Sequence, residues 1–99
     1  MRTLCKVVMN VEAANRAIRD GVLPKLMEQM TAVMKPEAAY FTTFGGDRTA
    51  YFVFDLKNTS DIPSIAEPFF QQLGAKIELS PVMNAEDLKT ALANLQKKP

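Results

Sequence analysis

The stretch from Ala38 to Leu56 reads AAYFTTFGGDRTAYFVFDL. Two segments rich in Tyr, Phe, Thr and Val flank the loop Gly45-Gly46-Asp47-Arg48, and that pattern predicts an antiparallel β-hairpin at or near the centre of a sheet. The loop is too short for a phosphate loop and is not followed by the helix that such a loop needs, so its glycines read as turn residues.

Upstream, Leu4, Val7, Val8 and Met9 surround Lys6 in a short apolar run that predicts a first strand over 3–10. Asn10 then suits the N-cap of a helix over VEAANRAIRD (11–20), interrupted at Asp20-Gly21. A restart at Leu23-Pro24 places proline in a first turn. From there Leu23, Leu26, Met27, Met30, Val33 and Met34 follow helical spacing until Lys35-Pro36. These methionines read as core packing.

Downstream, Asp61 and Pro63 predict the start of a further helix, with Ile62, Ile65, Ala66, Phe69 and Leu73 as its buried stripe and Gly74 at its end. Pro68 inside it predicts a kink or a shifted start. KIELSPV (76–82) alternates like a half-exposed strand, and Pro81 argues for a sheet edge or strand end. Asn84, Glu86 and Asp87 open a last helix striped by Leu88, Ala91, Leu92 and Leu95, and the tail Lys97-Lys98-Pro99 brings positive charge to its C-terminal end.

The order β, α, β-hairpin, α, β, α with right-handed crossovers predicts one α+β domain over 1–99, a ferredoxin-like βαββαβ plait with an extra C-terminal helix. Its antiparallel sheet has four strands in the order 4-1-3-2. Alternation then divides the strand residues between two faces. Cys5, Val7, Met9, Phe41, Thr43, Phe52, Phe54, Leu56, Ile77 and Leu79 form the face expected under the helices. The complementary set is Lys6, Val8, Asn10, Tyr40, Thr42, Tyr51, Val53, Asp55, Glu78 and Ser80, a mixture expected to line a cleft or to meet another subunit.

Composition narrows the function classes. Twelve basic and eleven acidic residues leave a formal charge of +1, which is no footprint for nucleic acid. The sequence has one cysteine and no histidine, so the usual zinc and haem ligand sets are missing and no metal or cofactor is expected. No segment reaches the roughly 18 apolar residues of a membrane span, and the N-terminus lacks a small-residue cleavage site, so a soluble cytoplasmic protein is expected. Cys5 has no base to activate it and reads as inert packing.

With this element order, long first helix, aromatic hairpin and extra C-terminal helix, the chain resembles the dimeric α+β barrel superfamily. The segments PEAAYF (36–41), RTAYFVFDL (48–56), AEPFF (66–70) and PVMN (81–84) also resemble short bacterial proteins assigned to it. The resemblance implies a homodimer whose two open faces pack into a barrel with one pocket per subunit. Superfamily members include cofactor-free monooxygenases, muconolactone isomerase-like enzymes, haem-dependent enzymes and stress-response proteins, so membership selects no single activity.

Lys6, Asp55 and Glu78 read either as a proton-transfer cluster or as cross-strand ion pairs. Tyr40 and Tyr51 read as ligand-facing hydroxyls or as amphipathic interface aromatics. Asn10 reads as a helix cap, while the resemblance to the cofactor-free oxygenases implies a group polarising a substrate carbonyl or phenolate. The expected ligand site, between the open face and the helices, comprises Lys6, Val8, Asn10, Tyr40, Thr42, Tyr51 and Val53, and the ligand is a small organic molecule. The alternatives are a cofactor-independent oxygenase or isomerase acting on an aromatic or enolisable compound, and a regulatory ligand-sensing domain.

Overall fold

A computed structural model describes residues 1–97; the tail charge of Lys98 lies outside the described residues. The chain forms β1 (Arg2–Val8), α1 (Val11–Arg19), α2 (Val22–Met34), β2 (Ala38–Phe44), β3 (Asp47–Asp55), α3 (Ile62–Leu73), β4 (Lys76–Pro81) and α4 (Ala85–Lys97). The strands make one antiparallel sheet in the order β2-β3-β1-β4, the expected 4-1-3-2 read from the other edge.

The hairpin loop is shorter than expected. Phe44 pairs with Asp47, leaving only Gly45 and Gly46 to turn the chain, while Asp47 and Arg48 belong to β3. Both glycines have positive φ, 61° and 86°, as a two-residue turn matching strand twist requires. Within the hairpin β3 is internal and β2 is an edge strand, as the order 4-1-3-2 places them.

Local chemistry sets the joints. Asn10 caps α1 by accepting the Ala13 N–H at 2.9 Å, and its own N–H donates to the Leu73 carbonyl at 3.1 Å. Gly74 ends α3 at φ 52°, where a Cβ would stand 3.3 Å from the Asn10 Cβ. α3 starts at Ile62 with Pro63 in its first turn and continues through Pro68, so its start is not shifted. Asn84 and Asp87 cap α4 reciprocally: the Asp87 N–H donates to Asn84 Oδ1 at 2.8 Å and the Asn84 N–H to Asp87 Oδ2 at 3.1 Å.

Helices α1, α2 and α3 bury one face of the sheet. Cys5, Val7, Phe52 and Phe54 meet Leu26, Met30, Ile65, Phe69 and Leu73 in a single core, with the Phe52 and Phe69 rings stacked 6.1 Å apart. Phe41 and Thr43 lie on that face by register but are not covered, contrary to expectation. Phe41 is 63% exposed and touches the core only edge-on, 6.0 Å from Phe52. The reason is position: three helices cover β1, β3 and part of β4, and the β2 edge extends past them.

Truncating Phe52→Ala should cost about 3–5 kcal/mol in urea unfolding, through lost transfer energy and a cavity. Lys35, which closes α2 at φ 48°, is the only non-glycine with positive φ among the described residues. Lys35→Gly should therefore raise stability by about 1 kcal/mol in the same assay, since the left-handed conformation burdens a residue bearing a Cβ.

Candidate functional site

The face without helices is ordered in rows. Tyr40 pairs with Tyr51, Tyr51 with Lys6, and Lys6 with Glu78, so one row of phenols, ammonium and carboxylate crosses all four strands. The next row, Ala38-Val53-Leu4-Ser80, is largely apolar, and the row on the other side is Thr42-Thr49-Val8-Lys76.

Lys6 is the centre of this face. Its ammonium lies 3.8 Å from Glu78 Oε2 and 3.6 Å from the centroid of the Phe44 ring, and only 19% of its side chain is exposed. A carboxylate on one side and an aromatic face on the other hold a flexible side chain in one place. By register the span from Lys6 to Phe44 crosses β3 above Thr49, and Thr49 is buried although it belongs to the open face. Phe44 was not singled out from the sequence; the available signal was its place, with Tyr40 and Thr42, in the every-second-residue set on one side of β2.

Asp55 stands apart. It pairs with Arg2, two rows from Lys6 and roughly 13 Å along the strand. Its carboxylate accepts from the Met1 ammonium at 2.6 Å, which holds its pKa below the usual carboxylate range. The expected three-member cluster is thus a pair, Lys6 with Glu78. Asn10 also leaves the group, because it follows β1 and its amide oxygen is committed to α1. Tyr40, 68% exposed, and Tyr51, Val53, Val8 and Thr42 remain on the face.

Arg2, also unmarked in the sequence reading, ties the rim of this face together. Its guanidinium donates to Glu37 Oε1 at 2.6 Å and reaches Asp87 Oδ2 in α4 at 3.4 Å, and the Glu37 hydrogen bond raises its pKa further.

Among the described residues no helix roofs the row. One cleft of about 410 Å³ lies between the end of α2, the end of β3 and the start of α3, lined by Val33, Lys35, Phe54, Asp55 and Lys57, and another of about 350 Å³ borders the open face at Val8, Asn10, Asp47 and Lys76, so it takes in two of the expected ligand-site residues, Val8 and Asn10. An apolar groove of about 230 Å³ lies on the helix side between α2 and β2, lined by Leu23, Met27 and Phe41. Among the described residues no cluster of metal-ligating side chains is present, and no helix is long and apolar enough to cross a membrane.

The fold and this row define an α+β protein with one helix-covered and one exposed sheet face. None of the family models, curated proteins and solved structures compared with the chain matches it.

Cys5 lies on the opposite face, fully buried, and desolvation pushes its thiol up to about 11. Native protein should therefore react with a thiol reagent at pH 8 far more slowly than urea-unfolded protein. The unfolded thiol ionises first, near pH 9. Above that pH the native state binds more protons, so unfolding free energy should fall between pH 9 and 11, and Cys5→Ala should flatten this part of the profile.

Proposed function

We propose that the protein is a homodimer of the dimeric α+β barrel type that binds a small organic ligand against the Tyr40-Tyr51-Lys6-Glu78 row. The observation that supports this reading is the Lys6 ammonium, placed between Glu78 and Phe44 on a sheet face that none of the described helices covers. Lys6 already has a carboxylate partner, so its remaining N–H groups suit a neutral or weakly charged acceptor. The phenols, Val53 and Leu4 suit the flat apolar part of the same molecule. A second copy facing the first supplies the roof that turns an open row into an enclosed site.

Catalysis as an oxygenase or isomerase is the second reading. It rests on Lys6 and Glu78 alone, since Asp55 is bonded to Met1.

Native mass spectrometry of the purified chain tests the first reading. A dimer with added small-molecule mass is expected. Lys6→Ala and Tyr51→Ala should each reduce that occupancy roughly tenfold, about 1.4 kcal/mol of binding, with unchanged circular dichroism. Equal occupancy in both variants removes the row from the site.

A further inference from the structure

α4 is a helix without a surface to lie on. None of its residues is buried, and Leu88, Leu92 and Leu95 are 46%, 52% and 66% exposed on one stripe. At 13 residues it is about as long as the shortest helices that persist alone in water, so packing must stabilise it. It is also fixed at its departure. The Val82 N–H donates to the Arg2 carbonyl at 3.1 Å, Arg2 holds Asp87, and the reciprocal Asn84-Asp87 cap sets the first turn.

The chain consequently extends to 58 Å in its longest dimension, with a radius of gyration of 16.1 Å, where about 12.6 Å is expected for a compact domain of this length. It exposes 6780 Å², against roughly 5,600 Å² for a compact monomer of its mass. The excess, roughly 1,200 Å², exceeds the ~800 Å² that each partner contributes to an ordinary stable interface.

The same chain has a sheet edge without a helix. On the helix side of β2, Phe41 is uncovered, and beside it lies the apolar groove formed with Leu23 and Met27. β2 and β4 are opposite edges of the sheet, and α4 leaves from β4.

We infer that α4 is an exchange arm, and that its occupant is a second copy of this chain. The Leu88-Leu92-Leu95 stripe of each copy seats on the helix side of its partner's β2, over Phe41 and the groove. In a two-fold pair both arms and both bare edges are satisfied at once. An edge strand covered by a helix is also protected from open-ended pairing. The net charge of +1 sets up little repulsion between copies. The arm rests on the two-copy reading above and leaves the Lys6 face free for ligand.

The test uses full-length chains. Light scattering should give twice the 11.0 kDa chain mass for the wild type, and Leu92→Glu should weaken the dimer roughly 100-fold by placing a carboxylate in the apolar contact. Circular dichroism confirms that the variant folds. Disulfide trapping then locates the arm: chains carrying Leu92→Cys are mixed with chains carrying Thr43→Cys, on the helix side of β2, or Tyr40→Cys, on the open face and away from the groove. Preferential trapping of the 92–43 pair supports the arm. A dimer that survives Leu92→Glu, or that traps 92–40 in preference, overturns the arm while keeping the two-copy reading. A monomeric wild type overturns both.

Discussion

One constraint governs this molecule: β1 is paired on both sides, with β3 and with β4, and its alternate residues must face opposite environments. Cys5 and Val7 are fully buried under the helices, so Leu4, Lys6 and Val8 are committed to the other face. A one-residue slip would exchange the two sets and place the Lys6 ammonium in the core. The apolar packing that fixes the register therefore also fixes where the charged row stands.

The same logic explains the uneven quality of the two faces. The helix face is a continuous core of Phe, Leu, Met and Val in close contact. The open face owes its order to a smaller set of directed contacts, in which Glu78 and Phe44 confine Lys6, and Arg2 joins Glu37 to Asp87 at the rim. These partly exposed ion pairs add little to global stability. Their consequence is positional: they hold a cation in the middle of the face and tie the first turn of α4 to its rim.

Two elements depart from self-sufficiency in the same way. β2 offers aromatics on both faces, with Tyr40, Phe41 and Phe44 all exposed, and α4 offers leucines with nothing beneath them. Both features serve assembly in the reading proposed above, in which the open faces enclose the ligand and the exchanged helix closes the outer edge.

The caps, turns and faces were legible in the sequence because each depends on residues a few positions apart. Asn10 before α1, Asn84 with Asp87 before α4, the paired glycines of the hairpin, Gly74 after α3 and the alternation along β1 and β3 are all local signals, and the strand order follows from element order and handedness. Tertiary structure alone decided which apolar surfaces are covered and which charges meet. Alternation places Phe41 on the same side as Phe52, but whether a helix reaches that side depends on the width of the helix layer relative to the sheet. Spacing makes Leu88, Leu92 and Leu95 one stripe, and an identical stripe would arise whether its cover came from the same chain or another. Asp55 and Lys6 share a face, yet their separation along the strands, and the Met1 ammonium that captures Asp55, depend on pairing register between segments more than fifty residues apart. Periodicity specifies the apolar side of an element; only the packed fold determines what comes to lie against it.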